Sequence, residues 1–118
     1  MKKILIVDDE NDIRELLKDV LKLGGFEVLE AENGQIGLEK FRKYKPDAAI
    51  IDLEMPVMNG VQLTQHILEE RPDFPVLIIS GYLHKYAVDD LKKLNVREVL
   101  AKPIDITHVF NEVKKLFS

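Results

Sequence analysis

No cysteine occurs among the 118 residues, which excludes disulfide bridges and thiolate metal sites. No apolar run approaches the ~20 residues that a membrane-spanning helix needs. Basic residues do not gather into a stripe interleaved with aromatics. With 17 Lys and Arg against 21 Asp and Glu the net charge is −4, so direct nucleic-acid binding is not expected. Internal repeats, low-complexity tracts and linkers are also missing. The N-terminus passes from Met1-Lys2-Lys3 straight into a short apolar run and then two aspartates, unlike a signal peptide. The expectation is a cytoplasmic protein without membrane association, with no output domain after its last helical pattern.

What is present suits one packed domain spanning 1–118. A content of 46% hydrophobic and 32% charged residues is ordinary for a globular chain and wrong for disorder. The chain is arranged around Ala48-Ala49-Ile50-Ile51-Asp52-Leu53-Glu54-Met55-Pro56. Its apolar run reads as a strand buried on both faces. It ends on a carboxylate, and Pro56 and Asn59-Gly60 mark the turn that follows.

Elsewhere the chain alternates. Lys3 to Val7 is a short run with apolar Ile4-Leu5-Ile6-Val7, read as a strand ending at Asp8-Asp9-Glu10. Ile13, Leu16, Leu17, Val20 and Leu21 follow at helical spacing, with Asn11 or Asp12 as expected N-cap, an Asp12–Glu15 capping-box spacing, and Gly24-Gly25 as the stop. Phe26 to Ala31 is a strand carrying Glu27 and Glu30, charges that suit an edge. A second helix runs from Asn33-Gly34 to about Tyr44, and a third follows Gly60 with Leu63, Ile67 and Leu68 on one face. Pro75 to Ser80 is another apolar strand. Leu83, Ala87, Leu91 and Leu94 mark a fourth helix. Arg97 to Ala101 is a short, charged strand closing on Lys102-Pro103. Ile106, Val109, Phe110, Val113, Leu116 and Phe117 mark a fifth helix.

Five βα units in strict alternation imply an α/β fold, a parallel sheet with helices on both faces. Placing the three most apolar strands centrally and the two charged ones at the edges gives the order 2-1-3-4-5. This is one of the common doubly wound orders, and its topological switch lies between strands 1 and 3. There Asp8, Asp9 and Asp52 share a crevice. Three carboxylates so close repel one another, and unless they are neutralised at least one pKa must rise. A hard divalent cation such as Mg²⁺ is the economical partner for oxygen ligands. The other strand ends add Ser80, a hydroxyl donor, and Lys102, a positive charge. Together these groups suit a phosphoryl group.

Each element has a plainer reading by itself. Asp8-Asp9 could be loop charges before a helix N-terminus, Asp52 a loop cap, Ser80 an ordinary strand-end hydroxyl, and Lys102-Pro103 a turn. Their joint placement at C-terminal strand ends is what favours a site. His66, His84 and His108 fall on three helices without metal-ligand spacing and read as surface residues. Met55 and Met58 read as loop and core packing. Lys92-Lys93 and Lys114-Lys115 read as solvated helix faces.

Asp8-Asp9, Asp52 in Asp-Leu-Glu-Met-Pro followed by Asn59-Gly60, Ser80 and Lys102-Pro103 resemble the signature of the response-regulator receiver domain of two-component signalling. The likeness runs from Lys3 to about Phe117 and points to stand-alone receivers of the chemotaxis or sporulation type. It implies a flavodoxin-like three-layer sandwich with five strands and five helices. It also implies a signalling domain, not an enzyme, that promotes only its own phosphorylation and dephosphorylation. Asp52 would accept a phosphoryl group from a histidine kinase or histidine phosphotransfer protein. Asp9 and Asp52 would ligate Mg²⁺, with Asp8 acting directly or through water and the Glu54 backbone carbonyl completing the protein's share. Lys102 would pair with the phosphoryl group, Ser80 would hydrogen-bond one of its oxygens, and the Lys102–Pro103 peptide would be cis. A downstream protein would dock on the face of the fourth helix, fifth strand and fifth helix.

One departure concerns Val99, which stands where the family commonly has an aromatic switch residue. Either a smaller change operates there, or Tyr82 or Tyr86 supplies the moving ring. The resemblance also places Glu54 and Tyr82 at positions that flank the phosphoryl site and influence hydrolysis, and Tyr82 is a candidate for restricting water and lengthening the phosphoryl lifetime. Three further readings compete. A Mg²⁺-dependent phosphoaspartate phosphatase would place its nucleophile after the first strand. A flavodoxin would carry a Ser-, Thr- and Gly-rich loop where this chain has Asp-Asp-Glu. The third is a docking receiver that works without phosphorylation.

Overall fold

The computed structural model describes residues 1–81 and 93–118. The expected fourth helix, apart from Leu94, lies outside the described residues, as do Tyr82, His84, Tyr86 and Lys92. The described elements are β1 (Lys3–Val7), α1 (Asn11–Leu23), β2 (Glu27–Ala31), α2 (Gly34–Tyr44), β3 (Ala48–Asp52), α3 (Gly60–Glu70), β4 (Val76–Ser80), β5 (Glu98–Ala101) and α4 (Ile106–Leu116). The five strands form one parallel sheet in the order β2-β1-β3-β4-β5. Burial follows that order. Every residue of β3 and β4 is buried, whereas Glu27 of β2 and Glu98 of β5 are exposed at the edges.

The two-residue period of the strands divides the core. Leu5, Val7, Ala49, Ile51, Val76 and Ile78 face one side, with Leu38 and Phe41 of α2 and Leu63 and Ile67 of α3. Ile4, Ile6, Ala48, Ile50, Leu77 and Ile79 face the other, with Leu17 and Leu21 of α1 and Val109 and Val113 of α4. Each of the Val, Leu, Ile and Phe side chains among them, taken fully from water, contributes about 1.5–3 kcal/mol.

Two helix starts show how local chemistry sets the loops around those ends. Asn59 and Gln62 form a reciprocal capping box that opens α3, Asn59 Oδ1 accepting from the Gln62 amide at 2.9 Å and Gln62 Oε1 from the Asn59 amide at 3.1 Å. The expected Asp12–Glu15 cap on α1 is not used. The helix starts at Asn11, and Glu10 occupies the N-cap without a side-chain cap bond. The Asp8 carboxylate takes the Glu10 amide at 2.9 Å, which turns the chain one residue early, and Asn11 Oδ1 accepts from Arg14 instead.

Gly60 is required by a close approach. Its amide donates to the Leu53 carbonyl at 3.0 Å, and a Cβ there would collide with the Asp52 carbonyl oxygen and stand 2.6 Å from Leu53 Cα. Between them the loop passes through Val57 at φ 70°, a region that β-branched residues avoid.

No helix of the described residues is long and apolar enough to cross a membrane. His66 and His108 are exposed, Met55 is buried, and Met58 packs half-buried on the core, as the sequence suggests.

Candidate functional site

Ladder hydrogen bonds continue one residue past the strands and hold the site's backbone. The Asp8 amide donates to Ala31 O at 3.1 Å, the Leu53 amide to Ile79 O at 3.0 Å, and the Lys102 amide to Ser80 O at 2.8 Å. Asp8, Asp52, Ser80 and Lys102 thus emerge together at the C-terminal edge of the sheet, at the switch between β1 and β3. The Lys102–Pro103 peptide is cis.

Asp8 and Asp52 are buried, at 0% and 1% exposure, while Asp9 is exposed. Lys102 joins the two buried acids. Its Nζ lies 3.2 Å from Asp8 Oδ2 and 3.3 Å from Asp52 Oδ2, and it also reaches Glu10 Oε1 at 3.3 Å. Asp52 Oδ1 accepts the Glu54 amide at 3.1 Å. Glu54's own carboxylate accepts from Ser80 Oγ at 2.6 Å and from the Gly81 amide at 2.9 Å.

Electrostatics follow from this packing. Burial pushes the Asp52 carboxyl up to about 7, and the neighbouring Asp8 charge adds to it; Lys102 and the Glu54 amide pull the other way. Burial likewise raises Asp8, against the Glu10 amide and Lys102. Burial disfavours the Lys102 ammonium, but the Asp8 and Asp52 charges together outweigh it and hold its pKa above the ordinary value. The carboxylate crowding expected from the sequence is therefore present at Asp8 and Asp52, with Lys102 as their shared counter-charge.

The donor set fits a hard cation. Among the described residues Asp8, Asp9 and Glu10 each offer a carboxylate oxygen, all within 4.8 Å of one another, in a group that does not include Asp52; such oxygens suit a hard cation. Asp8 Oδ2 is buried and its near partner is the Lys102 ammonium, 3.2 Å away. One ammonium shared by two buried carboxylates leaves a net negative charge, which suits a metal ion.

Glu10 has no role in the sequence reading, yet it meets both Lys102 and the acid cluster. The signal was the run of three acids after β1. Glu54 is expected at the site through its backbone carbonyl and as a position flanking the phosphoryl group, but the pairing of its carboxylate with Ser80 and Gly81 has no pattern in the sequence. Val99, in place of an aromatic ring, packs half-buried against the α2–α3 side of the core. Tyr82 and Tyr86, its suggested substitutes, lie outside the described residues.

Comparison with known proteins gives one consistent result. The sequence model of the response regulator receiver domain matches residues 4–114. Chemotaxis protein CheY of Thermotoga maritima is 32% identical over 116 residues, covering 98% of this chain and 97% of that protein. Sporulation initiation phosphotransferase F of Bacillus subtilis is 32% identical over 114 residues, covering 97% of this chain and 92% of that protein. Among solved structures, the response regulator protein TrrA from Thermotoga maritima, in complex with Mg²⁺-BeF, superposes with a TM-score of 0.89 at 37% identity, covering 99% of this chain and all of that one.

Proposed function

The chain belongs to the response regulator receiver domain family, and from that premise we propose that Asp52 accepts a phosphoryl group from a phosphohistidine in a Mg²⁺-dependent reaction. The donor is a histidine kinase or a histidine phosphotransfer protein. The observation that carries this reading is Lys102 Nζ within 3.3 Å of both Asp8 and Asp52, beside a buried Asp52.

An oxygen of Asp52 attacks phosphorus, the P–N bond to the imidazole breaks, and its electron pair stays on the imidazole nitrogen. Asp8, Asp9, Asp52 and the Glu54 carbonyl would hold Mg²⁺, which when bound supplies charge neutralisation at the transferring oxygens. Lys102 adds a positive charge beside the same carboxylates, already in place at 3.3 Å from Asp52. Ser80 contributes a hydroxyl to a phosphoryl oxygen. The modification adds up to two negative charges and three acceptor oxygens. These pull on Lys102 and Ser80, and so on β5 and the end of β4, toward a face that meets a downstream protein.

Acetyl phosphate, a small-molecule phosphoryl donor, tests the reading. Intact mass should show one added phosphoryl in the presence of Mg²⁺, none with chelator, and none in Asp52→Asn. Undiminished labelling of Asp52→Asn would refute it.

A further inference from the structure

Glu54 fills an oxyanion site with its own carboxylate. Ser80 Oγ donates to Oε2 at 2.6 Å and the Gly81 amide donates to Oε1 at 2.9 Å. The first is in the short range of charge-assisted O–H···O⁻ bonds. A hydroxyl and a backbone N–H directed at two oxygens of one group would bind a phosphoryl as readily as a carboxylate. Ser80 is 1% exposed, so water has little access to replace Glu54 there.

These two donors lie beside Lys102, the partner of Asp52. The Ser80 carbonyl accepts the Lys102 amide at 2.8 Å, and the Lys102 stem lies 3.9 Å from the place a Cβ on Gly81 would occupy. The tip of that same Lys102 rests on Asp52. On the Asp52 side, the Glu54 amide donates to Asp52 Oδ1. Glu54 is thus tied to the acceptor by its backbone and to Ser80 and Gly81 by its side chain.

We propose that the Glu54 carboxylate is an internal competitor of the phosphoryl group, holding the Ser80 hydroxyl and Gly81 amide until a phosphoryl on Asp52 displaces it. The proposal rests on Asp52 being the phosphoacceptor and names what sets the threshold of that site. No covalent bond changes in the exchange; two hydrogen bonds to Glu54 are traded for bonds to phosphoryl oxygens. A doubly charged group arriving beside Glu54 also repels it. A site that is receptive only in the fraction of molecules with Glu54 released shows an apparent affinity weakened by that fraction.

Beryllofluoride with Mg²⁺, followed through the Gly81 amide in ¹⁵N–¹H spectra of the full chain, reads this affinity. Glu54→Ala should bind about tenfold tighter than the unmodified chain, and Glu54→Gln, which keeps an acceptor but no charge, about threefold. Adding Ser80→Ala to Glu54→Ala should remove most of the gain, because the released donor is lost. Glu54→Gln serves if Glu54→Ala does not fold. Equal or weaker affinity in the Glu54 variants overturns the competition while leaving Asp52 as acceptor, provided the unmodified chain binds and Asp52→Asn does not. Absence of binding to the unmodified chain, or undiminished binding to Asp52→Asn, overturns the acceptor reading and the competition with it.

Discussion

Lys102 Nζ stands 3.3 Å from Asp52 Oδ2 across 50 residues of sequence. The same ammonium lies 3.2 Å from Asp8 Oδ2. Burial disfavours all three charges, so each depends on the others, and Lys102 occupies oxygens that a metal ion would want.

Lys102→Met should therefore tighten Mg²⁺ binding about tenfold, the equivalent of ~1.4 kcal/mol, while abolishing a stable response to phosphorylation. Calorimetric titration with Mg²⁺ reads the first effect. A weaker affinity would mean that Lys102 positions the acids for the metal instead of competing with it.

Without metal, stability should fall as pH rises toward and through 7. Folded Asp52 keeps its proton to about pH 7, whereas an unfolded aspartate releases it near 3.9. Between those values the folded chain binds more protons, so the slope of stability with pH is negative. At 1.36 kcal/mol per unit the ceiling is ~4 kcal/mol. Lys102, raised above its ordinary value, contributes stability that is lost only at more alkaline pH, outside this window. Urea unfolding in chelator at pH 5.5 and 8 should show the decline, and Asp52→Asn should flatten it. A rise with pH would contradict the crowding of Asp8 and Asp52.

Gly60→Ala should destabilise by about 1–3 kcal/mol, since its methyl would meet the Asp52 carbonyl oxygen and Leu53 Cα. Relief requires moving the end of β3, so acetyl phosphate labelling should slow together with the loss in melting temperature. Normal labelling in a destabilised variant would mean that the loop yields and the acceptor does not.

Val57→Gly should stabilise by about 1 kcal/mol. The side chain is 82% exposed and little packing is lost, while the backbone at φ 70° suits glycine. The urea midpoint should rise with labelling unchanged. A lower midpoint would show that the valine makes a contribution its exposure conceals.

Asp52 and Ser80 were legible because each ends a fully apolar run, and a polar residue there has little packing role. Lys102 was legible from its place before Pro103 after the last strand. The edges were legible too, since Glu27 and Glu98 could not be buried on both faces. The α1 cap was misread because the Asp8 side chain reaches forward to the Glu10 amide, an interaction that depends on where β1 leaves the sheet. The pairings of the Glu10 and Glu54 side chains were not legible, for their partners Lys102, Ser80 and Gly81 lie 26 to 92 residues away.

By itself the sequence determined the alternation of strand and helix, the central and edge strands, and the set of polar residues at strand ends. Those features follow from periodicity and burial, which are written locally. Only the tertiary structure decided that Lys102 bridges Asp8 to Asp52 and that Glu54 occupies Ser80 and Gly81. Such pairings depend on register across neighbouring strands and on side-chain direction in loops, and neither leaves a period in the chain.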